Sequence, residues 1–335
     1  MTSVGQFFFI YEGCNDLEYI DYNELWSYNT LSGVWKQYKT PIEINSSCHS
    51  SSMCAVGDLV YIFGGSHIDD ENIDEFWTTN SLISFDINNA SWDIVSPNID
   101  EDYYDYDDIP YSMRTDDHNA RDDECEYDMF KFCLNTSTWS KVRQIGVVPI
   151  FRWGIFGKVY NNKFYTFKDP YDPKNKYRNV WIFDFSNNRW TTKETNSKNE
   201  QYPLDRYEES FAFSSKFGYM NGGACPYTYD GYSDIWRFDL DTLEWLKCDY
   251  SLKECLLRHV MLVVDDLYFY SFGGRDIEFD DWNIFQKFNL KPPTLYRLGI
   301  ESVIRSPNVK IYIKSLPLSI REEFGIHDDD SYANT

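Results

Sequence analysis

Three short motifs carry side chains able to grip an anion: Arg152–Trp153, Arg206–Tyr207 with Ser210, and Arg258–His259. They recur ahead of similar strands. A guanidinium binds a carboxylate through two parallel hydrogen bonds, and hydroxyls or backbone N–H groups satisfy the remaining lone pairs. Ser50 and Ser51 occupy a comparable place, and Arg275 follows a glycine pair on a loop. Such a set can capture a carboxylate. For any single arginine the alternative is an ion pair with a neighbouring Asp or Glu, and His259 can serve packing instead. Signatures of catalysis are missing, since the chain contains no P-loop, G-x-G-x-x-G, G-x-S-x-G or H-E-x-x-H. His49, His67, His118, His259 and His327 lie far apart, and none stands at ligand spacing with a cysteine. The Asp-rich stretches lack the glycine and glutamate of a calcium-binding EF-hand loop. A non-enzyme with no cofactor and no metal is expected.

These motifs need elements to position them, and the elements repeat. Five segments end alike: LWSYNTLSGVW at Trp35, LISFDINNASW at Trp92, MFKFCLNTSTW at Trp139, VWIFDFSNNRW at Trp190 and IWRFDLDTLEW at Trp245. Each is an alternating apolar strand, a polar turn and a tryptophan opening the next strand. The tryptophans are 47 to 57 residues apart. Another strand precedes each motif, closed by paired glycines in LVYIFGG (59–65), FGYMNGG (217–223) and LYFYSFGG (267–274). Short strands at this pitch, without helical periodicity, predict an all-β radial repeat. The glycines allow backbone conformations closed to other residues and tight packing toward the axis. The tryptophans bury area between neighbouring blades.

Double glycine, aromatic strand and spaced tryptophan together resemble the kelch repeat, over residues 1–290. The resemblance implies a six-bladed kelch-type β-propeller, with the sixth unit at 255–290. Some units depart from the pattern. Glu12–Gly13 and Lys168–Asp169 stand where paired glycines belong, and the third unit has no recognisable second strand. The first unit reads as starting at its second strand, QFFFIYEG, and the sixth has Leu295 where a tryptophan belongs. An N-terminally shortened form is the expectation drawn from those ends.

After Leu290 the texture changes. Lys291–Pro292–Pro293 ends the strand pattern. Thr294 is a suitable N-cap for a helix whose apolar surface is Leu295, Leu298, Ile300, Val303 and Ile304. Ser319-x-x-Glu322 signals a second short helix through a capping box, with Ile320 and Phe324 on one face. Thr294, Leu295, Leu298, Gly299 and Val303 resemble the elongin-binding box of cullin-RING adaptor subunits, in which a cysteine usually stands at the place of Gly299. Leu316, Pro317, Ile320 and Phe324 resemble the cullin-choosing segment that follows, with Ser319 favouring cullin-2. The expected organisation is a propeller over 1–290, a helical box over 291–327 and a disordered tail over 328–335.

The formal net charge is −23, which excludes duplex nucleic acid and anionic membrane surfaces as partners. No apolar run reaches 18 residues, so no transmembrane span is expected. Residues 98–128 hold 13 acidic and 2 basic side chains and read as a solvated insert, whereas 291–321 carry a net of +5. Eight cysteines, Cys14, Cys48, Cys54, Cys125, Cys133, Cys225, Cys248 and Cys255, form no C-x-x-C. Residues 1–10 have no basic leader. Free thiols in a reducing compartment, cytoplasmic or nuclear, follow. The resemblance as a whole implies a non-catalytic substrate receptor of a ubiquitin ligase. Its propeller would hold a protein substrate, capturing a C-terminal carboxylate as relatives do, and its tail would dock elongin C with elongin B and a cullin. The other reading is a kelch scaffold without a ligase link, binding a basic partner through the acidic insert.

Overall fold

The computed structural model describes residues 1–11, 14–15, 20–21, 24–41, 51–68, 76–98, 128–149, 156–167, 176–276, 284–308 and 315–323. Most of the acidic insert, Glu12–Gly13, Lys168–Asp169 and the 328–335 tail lie outside these residues.

The hairpin ending each repeat forms for a local reason. Asp239 Oδ1 accepts the backbone N–H groups of Asp241 and Thr242 at 2.8 and 3.1 Å. Asn29 does this for Leu31 and Ser32, Asp86 for Asn88, and Asp184 for Ser186. A side-chain acceptor at the start of the turn fixes the reversal. In the third repeat Cys133 takes that place, and donors from Thr136 and Asn135 hold its thiol below the usual range. The register then sets an aromatic residue across from each tryptophan. Ring centroids are 4.8 to 5.1 Å apart in Tyr28–Trp35, Phe85–Trp92, Phe132–Trp139, Phe183–Trp190 and Phe238–Trp245. Cross-strand aromatic pairs of this kind stabilise a hairpin beyond the area they bury.

These hairpins extend inward into antiparallel sheets. The first contains Thr2–Val4, Phe7–Tyr11, Glu24–Asn29 and Val34–Lys39 in that order. The second contains Ser52–Val56, Leu59–Phe63, Leu82–Asp86 and Ser91–Ser96. The third shows Met129–Cys133 and Thr138–Val142, and the fourth shows Gly157–Tyr160, Lys163–Thr166, Asn179–Asp184 and Arg189–Glu194. The fifth contains Tyr207–Phe213, Phe217–Ala224, Asp234–Asp239 and Glu244–Ser251, with Asn196–Ser197 added in parallel at its outer edge. The sixth has Val260–Val264, Tyr268–Phe272 and Phe285–Asn289, and among the described residues no closing strand follows. Among the described residues the architecture is all-β apart from short C-terminal helices, chiefly Leu295–Ile304 and Leu318–Glu323. Among the described residues five sheets have three or more strands.

One expectation is corrected. The first sheet does possess an opening strand, Thr2–Val4, paired with Phe7–Phe9. Four residues suffice because Gly5, at φ +53°, lets the chain reverse within two residues.

Contacts divide the chain into two compact units: Met1–Trp77 with Leu82–Ile94 and Asn289–Thr335, and Thr78–Ser81 with Val95–Phe288. In the first unit, Phe9, Leu25, Val60, Ile62 and Phe85 make a core between the first and second sheets. In the second unit, Val180, Ile182, Phe211, Met220, Trp236, Phe238 and Trp245 do so between the fourth and fifth. The tryptophans also tie a repeat to the one before it. Trp245 Nε1 donates to Tyr177 O at 3.0 Å, Trp190 Nε1 to Gln144 Oε1 at 2.7 Å, and Trp139 Nε1 to Ser96 Oγ at 3.2 Å.

The paired glycines also work at the seam between sheets. Gly222 has φ +73°, and a Cβ there would lie 2.4 Å from His259 Cε1 and from Leu256 O. Across the sixth sheet, a Cβ on Gly274 would lie 2.7 Å from His259 Cβ. The glycines leave room for the histidine that opens the next sheet. Gly222→Ala is expected to cost about 2–4 kcal/mol, strain plus overlap. Gly273→Ala, at φ +71° with open space around it, should cost only about 1 kcal/mol. Urea denaturation of both variants checks this, and equal costs would refute the seam argument.

Candidate functional site

The predicted substrate-binding residues fall in three places. Arg152, Trp153 and Ser50 lie outside the described residues. Arg206, Ser210 and His259 are buried. Tyr207 and Ser51 are half-buried, while Arg258 and Arg275 are exposed.

Arg206 opens the first strand of the fifth sheet, and its side chain has no solvent exposure. Its Nη1 donates to Asp234 Oδ1 at 2.8 Å and to Gly222 O at 3.2 Å, and its Nε donates to Leu204 O at 3.1 Å. The Tyr232 ring covers the guanidinium, 4.2 Å from its central carbon. Burial pushes the Asp234 carboxyl up, but Arg206, Trp236 and Lys247 together bring it below the usual carboxylate range. Beside it Lys176 pairs with Glu209 at 2.5 Å, and both side chains are over nine-tenths buried. This polar cluster joins the loop 225–233 to the strands on either side. Arg206 therefore acts inside the sheet, and sequence spacing cannot distinguish that role from a ligand-facing one.

Ser210 also points inward, donating its hydroxyl to His259 O. His259 is 2% exposed, and burial pushes its imidazole down to about 4. Arg258 differs from its neighbours. It takes φ +53°, its side chain is 77% exposed, and its Nε meets Glu208 Oε1 at 2.7 Å. Exposed ion pairs of this kind contribute about 0.2–1 kcal/mol, so the guanidinium can exchange partners cheaply.

The loop from Cys225 to Tyr232 escaped the sequence reading. Cys225 N donates to Asp230 O and Tyr229 N to Cys225 O, both at 2.9 Å, closing a tight tip. Tyr227 and Tyr229 project from it, 64% and 68% exposed. Donors from Thr228, first its hydroxyl, pull the Cys225 thiol down to about 7. Its signal in the sequence is the turn composition C-P-Y-T-Y-D-G at 225–231. Cys54, Cys133, Cys225 and Cys248 are free thiols. A shallow polar cleft of about 530 Å³ runs beside this loop, lined by Asn199, Gln201, Ser233, Asp234, Lys247 and Tyr250 among others.

The tail lies in the first unit. Helix α1 spans Leu295–Ile304 and helix α2 spans Leu318–Glu323. Thr294 caps α1, its Oγ1 accepting the Arg297 N–H at 3.1 Å. The capping-box expectation for Ser319 is corrected. The second helix begins at Leu318, so Ser319 sits within its first turn, and Pro317 O accepts the N–H groups of Ile320 and Arg321. The apolar surface of α1 divides in two. Ile300 and Ile304 are buried on Leu31, joined by Leu316 and Ile320. Leu295 is 86% exposed and Leu298 46%, with Leu318 at 61%. Val303 is half-buried, Pro317 is exposed, and Phe324 lies outside the described residues. Gly299 is exposed, and a Cβ on it would meet nothing within 4 Å.

Titration of His259 gives a testable sign. Below about pH 6.5 the unfolded chain takes up a proton that the folded imidazole refuses until about pH 4. Folding stability is therefore expected to fall as pH drops through that window, by about 3 kcal/mol at most. Denaturation midpoints between pH 7 and 4 check it, and a His259→Gln variant should lose this part of the slope.

Among the described residues no helix is long and apolar enough to cross a membrane, and no group of three His, Cys, Asp or Glu side chains could hold a metal. The chain is similar to a solved structure titled "Structure of YjhT", with a TM-score of 0.57 and 13% identity over 87% of this chain and 96% of that one. At that identity the likeness concerns the β-propeller fold alone. No curated protein matches the sequence. The KLHDC2/KLHL20/DRC7 Kelch-repeats domain matches residues 117–307, more than half of the chain. The chain thus belongs to the KLHDC2/KLHL20/DRC7 Kelch-repeats family, whose propeller fold implies protein partners.

Proposed function

We propose that this chain is the substrate-recognition subunit of an elongin–cullin-RING ubiquitin ligase, resembling the kelch domain-containing protein 10 type. In this reading the propeller has six blades, one per repeat. It binds a protein substrate and performs no catalysis itself, in the cytoplasm, the nucleus or both. The tail docks elongin C, with elongin B, and cullin-2. One observation carries the reading: α1 buries Ile300 and Ile304 while presenting Leu295 and Leu298 to solvent, all within the motif that resembles the elongin box. Two leucines on successive turns of a capped helix, left outward, are the form of a helix that anchors in a partner's apolar groove. Exposure of that apolar surface is costly without such a partner.

Replacing Leu295 and Leu298 together with Asp should abolish co-purification with elongin B/C while leaving the melting temperature within a few degrees of wild type. Retained elongin binding in that variant rejects the box and favours the plain scaffold.

For the substrate, Arg258 is an exposed cation at the predicted site, and a C-terminal carboxylate would displace Glu208 from it. Arg258→Ala should weaken binding of a C-terminal peptide selected from a degron library about tenfold or more with folding unchanged. Arg206→Ala should instead destabilise the fold by about 3–5 kcal/mol, because Asp234 loses its buried partner. Peptide titration and thermal melts separate the two, and a stable, non-binding Arg206→Ala variant would overturn this division of roles.

A further inference from the structure

Helix α1 is held on the first sheet by polar groups within and just after the docking motif. Arg297 lies inside the docking motif, yet it is only 8% exposed. Its Nε donates to Glu301 Oε1 at 2.8 Å, and its Nη2 donates to Thr30 Oγ1 at 3.2 Å. Thr30 is fully buried. Its hydroxyl and its N–H both donate to Gln6 O, at 2.8 and 3.0 Å. Arg305 completes the attachment, with Nε to Leu31 O at 2.8 Å and Nη2 to Thr30 O at 3.2 Å. Arg305 Nη2 also stands 3.5 Å from Glu301 Oε2.

The helix is thus fastened, directly or through Thr30, to two turns that belong to the first sheet. One is the Gly5–Gln6 turn after the opening strand, and the other is the Thr30–Leu31 turn before Trp35. A helix of 10 residues has little stability alone, because nucleation is costly and few bonds repay it. Held by the sheet it is already ordered, and a partner need not supply that ordering free energy.

We propose that docking by the tail is conditional on the folded first sheet: Thr30, Arg297 and Glu301 are positioning residues that hold Leu295 and Leu298 outward in helical register before a partner arrives. This rests on the docking reading above. Its consequence is that a chain whose first sheet has not formed presents no docking surface, so only a folded receptor recruits the ligase. Linkage requires the converse as well, since a partner bound to the ordered helix must strengthen its attachment by the same factor.

The test uses the full chain and purified elongin B/C as the probe. Wild type, Thr30→Val, Thr30→Ser and Arg297→Met are titrated by calorimetry, and amide hydrogen exchange is followed across 295–305 and across 7–11. Thr30→Val keeps the shape and removes the hydroxyl that joins Gln6 O to Arg297. It is expected to bind about tenfold more weakly and to exchange faster in the helix, with the 7–11 amides still protected. Thr30→Ser, which retains the hydroxyl, should bind like wild type. Arg297→Met leaves the sheet untouched and should show the same loss, which keeps the test valid if Thr30→Val folds poorly. Wild-type affinity in both Thr30→Val and Arg297→Met overturns the inference while leaving the docking reading intact. A wild-type chain that does not bind elongin B/C rejects the docking reading, and this inference with it.

Discussion

The seam between one sheet and the next is the constraint on which the rest of the structure depends. His259 fills the space that side chains on Gly222 and Gly274 would occupy, and its own backbone carbonyl takes the hydroxyl of Ser210. A histidine enclosed on all sides is held neutral. Glycine is required at Gly222 twice over, by a positive φ and by the ring packed against it. Other junctions are tied by a tryptophan of the hairpin, whose N–H reaches back to the preceding repeat: Trp245 to Tyr177 and Trp190 to Gln144.

Burial at the seam also decides the fate of the charged residues near it. Arg206 and Asp234, and Lys176 and Glu209, are paired where water is largely excluded. Removal of one partner from such a pair leaves an uncompensated buried charge, so these residues hold the loop bases in place. Arg258, one residue before the seam histidine, escapes burial because φ +53° turns it outward. Adjacent positions in one motif therefore do different work: the arginine faces solvent and the histidine fills the joint.

The C-terminal helix shows the same division within ten residues. Arg297, Ile300, Glu301 and Ile304 face the first sheet, and Leu295 and Leu298 face away. The polar attachment gives direction, since a purely apolar contact would let the helix roll, whereas the donors of Arg297 and Arg305 each have a fixed acceptor. The outward leucines of the proposed docking surface are thus oriented by residues that would touch no partner.

Much of the fold was legible in the sequence. Alternating strands, Asx-type turns and tryptophans recurring about every 50 residues are signals written in the sequence, and each hairpin follows from interactions within about a dozen residues. The cap at Thr294 is equally local. The opening strand was missed because four residues are too few to show a pattern, and only pairing with Phe7–Phe9 makes them a strand. The start of the second helix was placed two residues too late because Pro317 O, and not the Ser319 side chain, meets its first N–H groups. At the candidate site the sequence supplied residue types but not their direction. Arg206 and Arg258 occupy equivalent positions in their repeats, and nothing nearby in the chain says that one is sealed beneath Tyr232 while the other reaches water. That choice depends on Asp234 and Glu208, which only folding brings to them. The sequence by itself determined the repeat, because periodic burial is written into residue order. The tertiary structure decided which polar groups are spent on holding the sheets together and which remain available, because desolvation and partner geometry exist only once the sheets have packed.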